Sequence, residues 1–182
     1  MHAWFRYLHL ILFISLSPKA FAQNYEDIVW DRHIEEHGYS WQLPADWYID
    51  EDKRFVAVMW AADDTAYCSL KRTADWAFNI LTPKTYVTQM VENPAQIKDM
   101  LAIQYPQGDG NLVRLSAFPV GNLEGLMFLT SGTMDSQPMM HAGFQTIFGG
   151  AVFTLSCFTL QENFGYYFPI FTQIADKLHF QS

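Results

Sequence analysis

The chain is short of cysteine, of basic residues and of long apolar runs, and each shortage excludes something. Two cysteines in 182 residues, Cys68 and Cys157, leave room for one disulfide at most. Eleven Lys and Arg stand against 19 Asp and Glu, a formal net charge of −8, so nucleic acid and anionic lipid surfaces are repelled as partners because they carry the same sign. No stretch beyond the first residues approaches the ~20 apolar residues of a membrane span without meeting a charge or a turn. No Gly-x-Ser-x-Gly nucleophile elbow is present, and Ser131-Gly132 and Ser156 lack its flanking glycines. The glycine-rich spots 108–110 and 149–150 lack the Lys-Ser/Thr that a phosphate-binding loop needs. Internal repeats, low-complexity tracts and interdomain linkers are also missing.

What is there begins with a leader. Arg6 precedes an apolar run over 8–16, too short to cross a bilayer, and Ala20-Phe-Ala22 offers small residues on both sides of a cleavage site. The expectation is a signal peptide over 1–22, cleaved after Ala22, and a periplasmic or secreted protein with no membrane attachment afterwards. The competing reading is a retained membrane anchor. Cleavage removes Arg6 and Lys19 and no acid, so residues 23–182 carry 9 basic against 19 acidic residues, a charge of −10. Those 160 residues suffice for one domain with a core of its own. In an oxidising compartment the two cysteines, each in a strand-like run, are expected to pair, the alternative being two buried thiols.

Residues 145–180 organise the rest. The first part is rich in β-branched and aromatic residues, is broken by Gly149-Gly150, and reads as two strands joined by a tight turn. In the second part Phe164, Phe168, Phe171, Ile174 (or Ala175) and Leu178 recur every three or four positions, the period of an amphipathic helix lying on something apolar. Upstream, 23–38 is either a short helix capped at Gly38 or an extended lead-in. Residues 39–43 alternate as a strand, Pro44-Ala-Asp46 makes a turn, and 54–62 and 67–73 are strand-like around a polar loop at 63–65. Thr82-Pro83 and Asn93-Pro94 each supply a cap followed by proline, starting two helices with Tyr86, Val87, Met90 and Val91, then Ile97, Met100 and Leu101, on their apolar sides. A turn at 107–111 leads to strands over 112–118, 125–134 and 139–148. Strands, then helices, then antiparallel strands and a last helix predict an α+β domain with helices packed on a mostly antiparallel sheet.

The strand 39–43 followed by Pro44-Ala-Asp-Trp47, with Asp46 at a position where glycine is expected, resembles the opening of PsbP-like proteins. The helix after Thr82-Pro83 and the closing aromatic strand that runs into a helix ending near Leu178-His-Phe180 are similar as well. The resemblance covers most of residues 23–182 and extends to the bacterial secreted DcrB-type members. It implies an α/β/α sandwich and, since the family shares a fold and not one activity, an accessory or binding role with an unidentified protein or small ligand.

Four constellations could carry chemistry or recognition. His33-Ile-Glu-Glu-His37 matches His-x-x-Glu-His, in which two histidines on one face of a helix hold zinc beside a glutamate base. It makes a small secreted metal-dependent hydrolase using His33, Glu36 and His37 the alternative to the binding module. Cys157 with His141 would be a nucleophile pair, but Cys68 is the better companion for Cys157. The aromatic residues, with Trp41, Trp47, Trp60 and Trp76 all in the first half, fit core and sheet positions, or else a ligand face. Met134, Met139 and Met140, around a loop at 136–138, are gap-fillers, or else an exposed cluster that binds a soft metal or an apolar peptide. The reading assigns no catalytic residue and no cofactor.

Overall fold

The computed structural model describes residues 28–36 and 38–181. Among the described residues, ten strands form two sheets and three α-helices pack on them. The order is β1 (Trp30–Glu36), β2 (Tyr39–Pro44), β3 (Tyr48–Asp50), β4 (Ala57–Trp60), β5 (Ala66–Ala74), α1 (Pro83–Glu92), α2 (Ala95–Gln104), β6 (Asn111–Ala117), β7 (Leu126–Met134), β8 (Gln137–Phe148), β9 (Ala151–Leu160), α3 (Phe164–Asp176) and β10 (His179–Phe180). The large sheet is antiparallel throughout, in the order β3-β4-β5-β9-β8-β7-β6, and β1-β2-β10 make a small one.

The expected hairpin is present: Gly149 and Gly150 both take positive φ (54° and 70°), the turn that matches the twist of β8 and β9. Thr82 caps α1, its hydroxyl accepting from the Thr85 N–H at 3.1 Å, with proline in the first turn. Asn93 Oδ1 accepts from the Ala95 N–H at 3.4 Å at the start of α2. Residues 30–36 form a strand, so the extended reading of the lead-in holds there. The strand expected over 54–62 is shorter, Ala57–Trp60.

Side chains alternate across the large sheet and give it two differently covered faces. One face carries Met59, Leu70, Leu129, Phe144, Phe153 and Leu155 and packs under α3 and the small sheet in the main core. Cys68 and Cys157 lie opposite each other on β5 and β9 in this core, joined by a disulfide that spans 89 residues. Helix α3 buries Tyr167, Ile170, Phe171, Ile174 and Ala175 here, while Phe164 and Phe168 pack at its margin. The expected stripe is therefore rotated: in a helix this aromatic, spacing alone does not say which side faces the sheet.

The other face is covered by α1 and α2 over part of its width. Tyr86, Val87, Met90 and Ile97 pack on Leu126, Phe128, Ile147 and Val152, all from β7, β8 and β9. The layers are thus helix, sheet, helix, with the second helical layer incomplete over β3, β4 and β5.

Candidate functional site

The incompletely covered half is where the sequence places a line of rings. Register sets Trp60 of β4 beside Tyr67 of β5, Tyr67 beside Phe158 of β9, and Phe158 beside His141 of β8. The rings follow that register. Centroids are 4.7 Å apart for Trp60–Tyr67, 5.0 Å for Tyr67–Phe158 and 4.3 Å for Phe158–His141, the last two pairs nearly parallel. Tyr48 of β3, directly opposite Trp60, extends the row to the sheet edge and is exposed. Stacked neighbours of this kind contribute roughly 0.2–1 kcal/mol per pair and hold one another flat on the sheet.

The row runs from dry to wet. At its deep end His141 is 1% exposed and Phe128 meets its ring edge-on at 5.4 Å. The His141 Nδ1 lies 3.2 Å from the Thr130 hydroxyl, which lies 3.1 Å from the Tyr105 hydroxyl, and Gln104 Nε2 donates to that phenol at 3.3 Å. The imidazole Nε2 has no partner. Burial therefore drives the His141 pKa down to about 3, and the ring is neutral at any physiological pH. Tyr105 reaches this position because Gly132 has no side chain: a Cβ there would come within 2.4 Å of the tyrosine ring. At the shallow end Trp60 is half-buried and Tyr48 donates to the Asp64 carboxylate, a contact that raises the Tyr48 pKa. Burial, with Tyr105 and Asp135 nearby, pushes the Tyr67 phenol up to about 12.

Asp50, Asp63 and Asp64 stand at the shallow end, and Asp135 belongs to the strand pair at the other end of the row. Asp63 and Asp64 form the β4–β5 turn, where Asp64 has φ 58° and Asp63 Oδ1 accepts from the Thr65 N–H (3.1 Å) and the Tyr167 hydroxyl (2.8 Å). Asp50 follows Tyr48 by two positions, on the same face. Asp135 sits in the β7–β8 turn with Ser136, both at positive φ. That two-residue turn replaces the wider loop expected at 136–138, and Gln137 and Pro138 belong to β8.

The other sequence candidates are scattered. His141 and Cys157 lie on opposite faces of the sheet, and Cys157 is tied to Cys68, which removes the nucleophile pair. His33 and Glu36 stand on strand β1, not on a helix, and His37 lies outside the described residues. Among the described residues no group of three or more His, Cys, Asp or Glu is placed to hold a metal ion. Alternation puts Met134 and Met139 on the face of the aromatic row and Met140 on the other, so the three methionines form no single patch. Trp41 and Trp47 are core residues, Trp60 belongs to the row, and Trp76 is 78% exposed. A separate cleft of about 630 Å³ lies between α1 and 117–125, lined by Lys84, Val87, Phe118, Pro119, Leu123 and Glu124 among others.

The row was hidden in the sequence because its members come from strands distant along the chain. The strand-like runs that hold Trp60, Tyr67 and Phe158 were visible. The pairing of those strands was not.

No family model and no curated protein matches the chain. Among solved structures it is similar to the cyanobacterial PsbP (CyanoP) of Synechocystis, with 13% identity and a TM-score of 0.53 over 82% of this chain and 91% of that one. It is similar to LpqN of Mycobacterium tuberculosis, a protein involved in cell envelope biogenesis, with 15% identity and a TM-score of 0.57 over 83% of this chain and 90% of that one. It is also similar to the Ran-binding protein Mog1p of Saccharomyces cerevisiae, with 6% identity and a TM-score of 0.51 over 84% and 96%. At such identities the likeness is one of fold: this chain has the PsbP-like fold, an antiparallel sheet with helices packed on it.

Proposed function

We propose that this protein is a non-enzymatic binding module of the periplasm or the extracellular space, acting after loss of residues 1–22, and that it holds a protein partner on the aromatic face. One observation carries the reading: the row Tyr48–Trp60–Tyr67–Phe158 lies beside the part of the sheet that α1 and α2 pack on, with Phe158 buried, Tyr67 and Trp60 half-buried and Tyr48 exposed. Aromatic side chains present large, rigid contact area at low entropic cost, and a partly exposed cluster of them is the kind of surface that supplies binding hot spots. The Cys68–Cys157 disulfide fits an oxidising compartment. Among the described residues no helix is long and apolar enough to cross a membrane. One neighbour in fold is a Ran-binding protein, which lends the binding role a precedent in this architecture.

The chemistry of the face agrees with binding and not with turnover. Its one imidazole is buried, neutral and held by a threonine, and its phenols titrate far above neutrality, so none of these groups is poised to exchange a proton near pH 7. The test is affinity capture from the extracytoplasmic fraction with the tagged protein and with a Trp60→Ser/Tyr67→Ser variant of unchanged fold by circular dichroism. A specific partner held by the parent and lost by the variant supports the reading. A partner retained equally by both overturns the assignment of this face.

A further inference from the structure

We infer that the occupant of this face is a cationic segment of the partner, with an Arg or Lys side chain laid against Tyr48 and Trp60 beside the carboxylates of Asp50 and Asp64. The inference rests on the reading above and adds the chemistry of the partner. Aromatic rings attract a cation to their faces, and a neighbouring carboxylate adds a charge-assisted hydrogen bond, so the two together select guanidinium or ammonium groups.

The distribution of charge carries the argument. Asp64 accepts from the Tyr48 hydroxyl and Asp50 lies two positions along β3 on the same face, which places two carboxylates beside Tyr48. Among the described residues the one ion pair is Arg54 with Asp52, so no described basic side chain pairs with Asp50 or Asp64. On the strands that carry the exposed rings, the one basic residue on the same face is Lys71. It sits two cross-strand pairs beyond Tyr67, past Ser69 and Ser156. The shallow end is therefore aromatic and acidic, and the far end is hydroxyl-lined with a single cation. A basic segment is complementary to the first; an acidic one would meet repulsion there.

Size argues for a segment and against a small free cation. Four strands at ~4.8 Å spacing make the row from Tyr48 to Phe158 about 14 Å long, several times the width of one ammonium group.

The test is an NMR titration of the protein lacking residues 1–22 with two nine-residue Gly/Ser peptides, one bearing three Arg and the other three Glu. The Arg peptide should shift the Trp60 indole N–H and the amides of Tyr67 and Phe158. Its affinity should fall at least tenfold in Trp60→Ala and in Asp50→Asn/Asp64→Asn. It should be unchanged in Glu92→Gln/Asp99→Asn, which removes the same charge from α1 and α2. Equal weakening by the α1/α2 pair, or binding of the Glu peptide at the row, overturns the inference while the face remains the binding surface. If neither peptide perturbs the row and a captured partner is indifferent to Trp60 and Tyr67, the functional reading itself has failed. Tetramethylammonium binding as tightly as the Arg peptide would overturn the choice of a peptide segment.

Discussion

Replacing His141 by phenylalanine should remove most of the difference between this protein's stability at neutral and at mildly acidic pH. The side chain is fully enclosed, stacked on Phe158, and its Nε2 has no partner, so the folded state holds the neutral ring and its pKa lies near 3 instead of 6.5. The unfolded chain has no such constraint and takes up a proton below about pH 6.5. Protonation thus favours the unfolded state. The contribution to stability is complete above the unfolded pKa and is lost as pH falls toward the folded one. The slope approaches about 1.4 kcal/mol per pH unit below the unfolded pKa, so between about pH 6.5 and 4.5 the parent should lose roughly 2 kcal/mol from this residue. Carboxylates titrate in both proteins, and the difference between parent and His141→Phe isolates the imidazole. The substitution keeps the stack with Phe158 and leaves Thr130 bonded to Tyr105, so near neutrality the two proteins should agree to within ~1 kcal/mol. Urea titrations at four pH values between about 7.5 and 4.5 read the effect directly. Parallel curves for the two proteins would refute the claim that His141 is buried neutral with an unmet nitrogen.

Other parts of the structure give equally definite expectations. Asn122 pairs both polar atoms of its side chain with the backbone of Phe180 at 2.9 Å, so Asn122→Ala should cost about 1–3 kcal/mol and speed amide exchange at Phe180. Gly143 leaves the space that the Phe128 ring fills, with a Cβ there only 2.0 Å from Cζ. Gly143→Ala should therefore displace that ring and destabilise by about 1–3 kcal/mol, read by thermal unfolding. Thr82→Ala should cost about 1 kcal/mol in urea through loss of the α1 cap. Cys68→Ala/Cys157→Ala opens a link across 89 residues and should lower stability by about 4–5 kcal/mol on the chain-entropy account.

Local signals were legible and long-range ones were not. Gly149-Gly150 and Thr82-Pro83 each act within a few residues, and both are found where the pattern puts them. The tight turn at Asp135–Ser136 escaped because two non-glycine residues take the left-handed conformation there, which no dipeptide rule strongly favours. The side of α3 that faces the sheet escaped because almost every position from 164 to 174 is apolar or aromatic. Tyr167 and Ile170, unremarkable in the sequence, are the buried ones. Ile103, 84% exposed on α2, is the converse case of an apolar residue left out of the core. The aromatic row needed strand order as well as strand identity. The disulfide partners were foreseeable since only two cysteines exist, but their position on the side of the sheet opposite the row was not.

The most direct test of the binding face is photo-crosslinking in the protein's own compartment, with a benzophenone amino acid at position 60 in one sample and at position 103 in another. Both sites accept a large side chain at the surface, and only the first lies on the aromatic row. The account predicts a discrete adduct from position 60 that competes away with unlabelled protein, and none from 103. Adducts from 103 alone, or equal labelling at both, would contradict it.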